Sequence, residues 1–424
     1  MSDDGVFYIK KAKAVTLEEQ RELYEYVRNI INQVRTSGDA ALHSLSMKFD
    51  KIDRKNFRIS AEEIEATKAV PAELRKMIDF TIQQVRNFAR KQKDCFRDFE
   101  VENSPGTIIG QRIMPISSVG CYIPGGRYPL VSSPIMCIVP AKVAGVERVV
   151  ACTPLRKTGA IDPAVLYSIV TSGADEVYGV GGAQAVAAMA YGTETIQPVD
   201  KIVGPGNAYV NEAKRQVYGQ VGIDLLAGPS EVVILADETA NPELISIDLL
   251  AQAEHDVQAR AILITNSRRV AEESNREIIR QMETLASAQV VRQSWEERGE
   301  IILTQTMDRA ILLTNEISPE HLEVHTKSPR EVLPKLKNYG SLFLGEWSPV
   351  VLGDQVIGTN HVLPTLRSAR YSGGLFVGSF LKTVTYQCVA RESSKRLGEI
   401  AAKLSRYEGL DAHAASAEAR ISRR

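Results

Sequence analysis

The chain has 424 residues, of which 44% are hydrophobic, with 51 basic and 52 acidic side chains. This length favours two or three domains, and the charge balance excludes disorder and a polyanion-binding surface, so we expect no nucleic-acid partner. Its apolar stretches are too short to span a bilayer and its first residues lack a signal-peptide pattern, which predicts a cytoplasmic protein without a membrane partner. The five cysteines lie far apart without a CxxC pair, as expected of free thiols in a reducing compartment.

The first hundred residues are predicted to be mostly helical, over 17–36, 40–49 and 72–97. From about residue 106, short β-rich runs alternate with helical patterns, which is typical of βα units on a parallel sheet. The first series of predicted strands is 118–123, 148–152, 176–180 and 200–203, and a second series is 231–236, 261–265 and 300–304, after which the chain passes through 341–344 into a loop-rich stretch. From about residue 388 the chain is predicted to be helical.

Three predicted strands of the first series end in glycine-rich turns, at 124–126, 179–182 and 204–207. Glycine lets the backbone approach a ligand closely, and the helix that follows each turn offers free N–H groups to a phosphate. The repetition favours a nucleotide pocket, with ordinary tight βα turns as the alternative. None of the turns matches GxGxxG, so the Rossmann interpretation rests on topology alone.

The run Gln252-Ala-Glu-His255 closes a predicted helix that starts with Asn241 as N-cap and Pro242 at the first helical position. Residues three apart on a helix share a face, so the Gln252 amide oxygen and the His255 imidazole can converge on one ion. The alternative is a solvated or core-satisfied pair.

The run Ser318-Pro-Glu-His321 is predicted to start a helix, with Ser318 as N-cap. A helix N-terminus disfavours protonated imidazole, so His321 is expected to be a neutral base beside an ionised Glu320. The alternative is a well-formed first turn without chemistry. His325 lies one predicted turn further on and is expected at the surface.

Asp354 and His361 lie in a predicted loop, and loops with few core residues usually carry function. His413 lies close to the C-terminus. A set of Gln252, His255, Asp354 and His413 would be a mixed N/O metal site that suits zinc, without the sulfur ligands of structural zinc sites. Spacing alone leaves their convergence open.

Collinear motifs run through nearly the whole chain. They are 120–126 (GCYIPGG), 140–145 (PAKVAG), 181–184 (GGAQ), 201–208 (KIVGPGNA), 227–231 (AGPSE), 252–255 (QAEH), 318–321 (SPEH), 358–364 (GTNHVLP) and 408–413 (EGLDAH). Together they resemble the histidinol dehydrogenase family.

The resemblance implies an α/β fold with two Rossmann-like parallel-sheet domains that lack GxGxxG, small N- and C-terminal helical segments, and an intertwined homodimer. The implied divisions are an N-terminal segment 1–18, a discontinuous first domain 19–118 and 229–376, a second domain 119–228 with the NAD site, and a C-terminal helical segment 377–424 that reaches the partner subunit.

The resemblance also implies chemistry, namely zinc- and NAD-dependent oxidation of a small primary alcohol through a bound aldehyde to the carboxylate, with two NAD reduced. Glu320 and His321 would be the acid–base pair. The implied zinc ligands are Gln252, His255, Asp354 and His413, and the implied NAD contacts are Tyr122, Gln184 and Asn207. The implied substrate contacts are Ser230, Gln252, His255, His321, Asp354, His361, Glu408 and His413.

The leading substrate prediction is 2,3-dihydroxypropane-1-sulfonate, with L-histidinol as the alternative. Arg127 and the stretches 221–224, 371–378 and 380–387 resemble more closely the branch that oxidises 2,3-dihydroxypropane-1-sulfonate to sulfolactate, and an arginine suits a sulfonate. Arg127 could equally be a surface residue, and Ser230 and Glu408 are retained as in the enzymes that oxidise L-histidinol. A third hypothesis is a catalytically silent paralogue that binds a small ligand, although such a protein would not need Glu320 and His321 together.

Overall fold

This computed structural model describes residues 5–13, 20–125 and 128–422. In that part of the chain the strands are β1 (Val6–Lys10), β2 (Phe99–Ser104), β3 (Thr107–Pro115), β4 (Ser118–Tyr122), β5 (Arg148–Cys152), β6 (Glu176–Tyr178), β7 (Lys201–Val203), β8 (Gly222–Ile223), β9 (Glu231–Ala236), β10 (Arg260–Thr265), β11 (Glu300–Thr304), β12 (His321–His325), β13 (Ser341–Leu344) and β14 (Leu381–Val389). The α-helices are α1 (Gln20–Phe49), α2 (Ala61–Ile64), α3 (Ala72–Lys93), α4 (Ser132–Ala144), α5 (Pro163–Ser172), α6 (Gly182–Tyr191), α7 (Ala208–Val217), α8 (Pro242–Ala253), α9 (Arg268–Met282), α10 (Ala288–Arg298), α11 (Met307–Ile317), α12 (Pro329–Val332), α13 (Val350–Gln355), α14 (Arg391–Tyr407) and α15 (Asp411–Ile421).

Two parallel sheets share one strand order. The five-stranded sheet runs β6-β5-β4-β7-β8, and the six-stranded sheet runs β1-β11-β10-β9-β12-β13, in which β1 alone pairs antiparallel, with β11. In each sheet the chain starts in the middle, winds outward, and then returns to the other side, which is the doubly wound topology of Rossmann-like folds. The predicted α/β class with parallel sheets is confirmed.

Helices cover both faces of each parallel sheet, which explains why most of the parallel strands are largely apolar. In the five-stranded sheet, α1, α6 and α7 pack on one face, and α3, α4 and α5 on the other. In the six-stranded sheet, α8, α9 and α10 cover one face and α11 the other. The domain boundaries stay a prediction, but α1 and α3, which they assign to the first domain, pack on the five-stranded sheet.

A third sheet, antiparallel in the order β14-β3-β2, was not predicted. The expected helical segments at the two ends were wrong in part, because β1 belongs to the six-stranded sheet and β14 lies inside the supposedly helical 377–424. The strands β1, β2 and β14 expose many of their side chains, so they lack the continuous apolar runs by which the parallel strands were predicted. The two first predicted helices form one element, α1, which kinks at Gly38 (φ 50°).

None of the described helices combines the length and apolarity that crossing a bilayer requires. All five cysteines are free thiols, as predicted, and Cys137 and Cys152 are fully buried in the core around the five-stranded sheet.

Candidate metal, acid–base and nucleotide sites

Glu320 and His321 lie where β12 begins, and the predicted helix start at Ser318 was wrong. α11 ends at Ile317, and Ser318 follows as its C-cap with φ 54°, donating its N–H to the Thr314 carbonyl. His321 then pairs with Val232 of β9. The Ser-Pro signal for a helix start is local. Pairing with the two neighbouring strands β9 and β13 outweighs it, so this segment is a strand. His325 lies at the end of the strand and is buried, not at the surface as expected.

The backbone of Glu231 fixes both members of the acid–base pair. His321 Nδ1 lies 3.1 Å from the Glu231 carbonyl oxygen, and the Glu231 N–H donates to Glu320 Oε2 at 2.9 Å. A carbonyl only accepts, so Nδ1 carries a proton and the neutral ring has its lone pair on Nε2. Nε2 is buried without a hydrogen-bond partner, 3.7 Å from Asp354 Oδ1. His321 therefore presents one free nitrogen to the site.

Burial and mutual charge shift the pKa values of Glu320, His321 and Asp354. Burial raises the pKa of Glu320 to about 7, although His321 opposes the shift. Burial alone would lower the pKa of His321, but Glu320 and Asp354 outweigh it and raise that pKa to about 9. Burial opposes ionisation of Asp354, yet His321 and His361 hold its pKa below the ordinary value. The sequence predicted a neutral His321 at a helix N-terminus. Without a metal, the charges of Glu320 and Asp354 favour the protonated form instead.

A short helix, not the predicted loop, carries Asp354, and a hydrogen bond joins His361 to it. Asp354 lies on α13, and His361 Nδ1 donates to the Asp354 backbone oxygen at 3.0 Å. The same Nδ1 is 4.0 Å from Asp354 Oδ1. Burial lowers the pKa of His361 and keeps this ring neutral. The preceding Gly353 lies against the ring of Phe343, where an added Cβ would come within 2.6 Å of the ring.

The predicted helix that carries Gln252 and His255 is present, with the predicted Asn241 cap and Pro242 at its start. α8 ends at Ala253, so Gln252 lies in its last turn and His255 two residues beyond it. The Gln252 side chain is buried, and its amide nitrogen has no hydrogen-bond partner. His255 is exposed and lies within electrostatic range of both Asp354 and His361.

The donor set of Gln252, His255 and Asp354 fits a zinc ion. Imidazole, carboxylate and amide are N/O donors that leave a position open for substrate. Rotation of the Gln252 amide by 180° presents an oxygen where the unpartnered nitrogen lies, since the two ends have the same shape. The carboxyl end of α8 points to the same edge, and the partial negative charge of a helix C-terminus attracts cations.

The other predicted ligand, His413, is not brought to this centre within the chain. It is exposed on α15, and Glu408 is exposed at the end of α14. These two helices pack on each other, with an Arg406–Glu418 ion pair at 2.8 Å. No hydrogen bond or ion pair among the described residues joins Glu408 or His413 to the centre. Ser230 is half-buried directly before β9, where its carbonyl accepts the Arg260 N–H.

The predicted NAD contacts lie at the carboxyl edge of the five-stranded sheet. Tyr122 ends β4, and its hydroxyl accepts the Gly182 N–H at 3.2 Å, while burial raises the pKa of Tyr122 to about 12. Gln184 is buried in the first turn of α6. Asn207 is exposed and caps α7 by accepting the Val210 N–H. A cavity of about 430 Å³ opens at the same edge, lined in part by Gly125, Thr153, Pro154, Arg156 and Lys157.

A buried ion pair supports the turn at Gly204. Lys214 pairs with Asp224, both being almost completely buried. Lys214 donates to the Gly204 carbonyl at 3.0 Å, and the Gly204 N–H donates to Asp224 at 2.7 Å. Gly204 has φ 119° and lies against the Tyr122 carbonyl, so only glycine fits. Sequence reasoning missed both charged residues, because a lone Lys or Asp normally indicates a solvated surface.

The fold and the two edges define an α/β protein with a buried histidine–carboxylate centre and a separate glycine-rich edge suited to an anionic cofactor. The histidinol dehydrogenase family model matches residues 14–421. The chain therefore belongs to the histidinol dehydrogenase family, whose members are zinc-binding, NAD-dependent oxidoreductases that act on CH–OH groups.

Individual relatives agree with this assignment. A "Histidinol dehydrogenase homolog" of Shouchella clausii is 47% identical over 98% of this chain and 99% of its own length. The histidinol dehydrogenase of Methanothermobacter thermautotrophicus is 48% identical over 93% of this chain and 92% of its own. The crystal structure of histidinol dehydrogenase from Elizabethkingia anophelis matches with a TM-score of 0.90 and 35% identity, over 97% of this chain and 94% of that one.

Proposed function

We propose that this chain is a zinc-dependent enzyme that oxidises a small primary alcohol to the carboxylate in two NAD-linked steps, with L-histidinol as its substrate. The observation that carries the proposal is the free Nε2 of His321 beside Asp354, with Glu320 adjacent. L-Histidinol leads because the Methanothermobacter relative and the structural neighbour carry the name of that activity.

2,3-Dihydroxypropane-1-sulfonate is the second candidate, and the comparisons give it no support of their own. Two of the relatives, at 47% and 46% identity, are named only as homologs, so their names do not assign L-histidinol to this chain. Arg127, which suggested a sulfonate, lies outside the described residues.

Gln252, His255 and Asp354 of one chain would hold zinc, with His413 as a fourth ligand. When bound, zinc acts as a Lewis acid that orients and polarises the alcohol oxygen, and it takes no electrons because it has a single stable oxidation state. His321 would act as the base once a metal offsets the charge of Asp354, which together with Glu320 raises the pKa of His321.

In the first step His321 Nε2 takes the hydroxyl proton while a hydride leaves the alcohol carbon for NAD, which gives the aldehyde. Glu320, with its pKa raised to about 7, takes a proton from water as that water adds to the aldehyde carbon. Protonated His321 gives its proton to the aldehyde oxygen as the gem-diol forms, and the neutral ring then takes a proton from a gem-diol hydroxyl while a second NAD accepts the second hydride. The sum is one alcohol and one water converted to a carboxylic acid, with two NAD reduced and two protons released through Glu320 and His321.

The exposed positions of Glu408 and His413 favour a homodimer in which a second copy supplies them. Two inactive variants, His321→Asn and His413→Ala, test this when they are mixed and refolded together. In a dimer that exchanges tails, a mixed pair has one intact site, so about a quarter of the wild-type activity should return. No recovery, with mixed dimers shown by mass spectrometry, would place the tail in its own chain's site.

The function itself is tested with zinc-loaded protein, NAD and each alcohol, with NADH followed by absorbance. We expect two NADH per L-histidinol. Turnover of 2,3-dihydroxypropane-1-sulfonate alone would make that compound, and not L-histidinol, the substrate. Absence of NADH with either alcohol would favour the silent small-ligand-binding paralogue.

A further inference from the structure

Three titratable groups, two of them buried and one half-buried, lie together outside the centre described above. They are Asp248 of α8 and Glu323 and His325 of β12, and their ligand-type atoms all lie within 4.8 Å of one another. Side chains alternate along a strand, so Glu323 and His325 share the face of β12 that carries His321. Nothing in the proposed chemistry uses this cluster.

Glu323 makes contacts in three directions. Its Oε1 accepts the Val350 N–H at 2.7 Å, and its Oε2 lies 3.2 Å from His325 Nε2. It also shares a hydrogen bond with the Asp248 carboxyl group. Its side chain is completely buried. One carboxyl group therefore joins α8, β12 and α13.

The two carboxyl groups of the cluster share a proton, and the cluster does not suit a metal ion. Burial and the neighbouring Glu323 carboxylate raise the pKa of Asp248 to about 8, so Asp248 keeps its proton at neutral pH and donates it to Glu323. A divalent ion here would need both carboxyl groups ionised, and it would compete with the bonds to His325 and Val350 for the same oxygens.

Each of the three joined elements carries one residue of the centre. Gln252 lies one turn after Asp248 on α8, and His321 lies two residues before Glu323 on the same face of β12. Asp354 lies one turn after Val350 on α13.

We propose that Glu323, with Asp248, is a positioning residue that holds α8 and α13 at fixed distances from β12 and thereby sets Gln252 and Asp354 against His321. This role rests on the proposed zinc site. Removal of a group that orients a metal ligand without binding the metal typically lowers metal affinity by roughly 10–100-fold.

Three variants test the role. Glu323→Ala removes every bond of the carboxyl group. Glu323→Gln keeps an oxygen for the Val350 N–H and an amide donor for Asp248. Ser246→Ala is the control, because the Ser246 hydroxyl is buried on the same helix but bonds only the Pro242 and Ser274 carbonyls, away from β12 and α13.

Two readouts do not depend on turnover. Zinc affinity is measured by chelator competition, together with the visible spectrum of the cobalt-substituted protein. Hydrogen–deuterium exchange of 350–355 is measured in the zinc-free protein. We expect Glu323→Ala to lose about 10–100-fold in zinc affinity, to change the cobalt spectrum and to exchange faster over α13. Glu323→Gln should stay within a few-fold of wild type, and Ser246→Ala should lower the melting temperature alone.

Unchanged zinc affinity and unchanged exchange over α13 in a folded Glu323→Ala would overturn the proposed role. So would equal losses in Glu323→Ala and Ser246→Ala, since general destabilisation would then account for both. Wild-type protein that binds no zinc would instead contradict the proposed function, and the exchange of α13 would still report on Glu323.

Discussion

The two parallel sheets have the same strand order but place their candidate sites at opposite edges. In the five-stranded sheet the glycine turns follow the carboxyl ends of β4, β6 and β7, where α6 and α7 begin. In the six-stranded sheet Glu320 and His321 lie at the amino ends of the strands, where α8 ends. The carboxyl edge of the five-stranded sheet thus carries helix N-termini, which favour anions. The amino edge of the six-stranded sheet carries a helix C-terminus, which favours a cation.

This difference assigns anion binding and cation binding to different strand ends of the two sheets. A pyrophosphate needs backbone N–H groups and close approach, which glycine turns provide. A zinc ion and its base need buried side chains whose ionisation is controlled by their neighbours, which Glu320, His321 and Asp354 provide. Each variant below should therefore disturb one edge and leave the other unchanged.

The largest expected effect comes from His321→Asn. Asparagine keeps a polar group of similar size but cannot take the hydroxyl proton, so kcat should fall by roughly 10²–10⁴-fold. Zinc content, measured by metal analysis, and NAD affinity, measured by calorimetry, should both stay at the wild-type level. A variant that loses its zinc would contradict the separate roles of His321 and the ligands.

Gly204→Ala should damage the carboxyl edge. A methyl group there would meet the Tyr122 carbonyl at a φ of 119° that alanine disfavours. The free energy of unfolding, from urea titration, should fall by about 2–4 kcal/mol, with weaker NAD binding and unchanged zinc affinity. Gly219→Ala is the matched control, because Gly219 has φ 101° but no neighbour within 4 Å, and it should lose only about 1–2 kcal/mol.

The sequence predicted the buried parallel strands well, because β5, β9, β10 and β11 are apolar runs bounded by clear turns. It failed where distant pairing overrode a local signal, as at Ser318, and where a strand is half-exposed, as in β14. For the candidate site, residue types and family motifs identified the polar groups. Their convergence, and the burial of Glu323 and Lys214, depend on contacts between distant segments that no local pattern encodes.

Gly353→Ala should disturb the amino edge more mildly. The new methyl group would press on the Phe343 ring and displace α13 with Asp354, so zinc affinity should fall by about tenfold while NAD affinity stays unchanged. Gly373→Ala, at a glycine with nothing within 4 Å, should leave zinc affinity as in the wild type. Equal zinc affinity in both variants would mean that α13 does not position a ligand.

The smallest expected effect is a change in how stability depends on pH in Asp248→Asn. The folded-state pKa of Asp248, about 8, exceeds its ordinary value of 3.8, so its contribution to stability is complete below about pH 4 and is lost as pH rises through 8. Asparagine donates the same hydrogen bond and does not titrate. Its melting temperature relative to wild type should therefore rise between pH 6 and pH 9, and a difference that is constant with pH would contradict the shared proton.

The location of the bound metal tests the account most directly. Crystals of the zinc-loaded protein, with diffraction data collected at the zinc absorption edge, give an anomalous difference map that shows the ion itself. We predict one peak per subunit, at bonding distance from His255, Asp354 and the Gln252 amide oxygen. A peak between Asp248, Glu323 and His325, with none beside Asp354, would contradict both the assignment of the centre and the role given to Glu323.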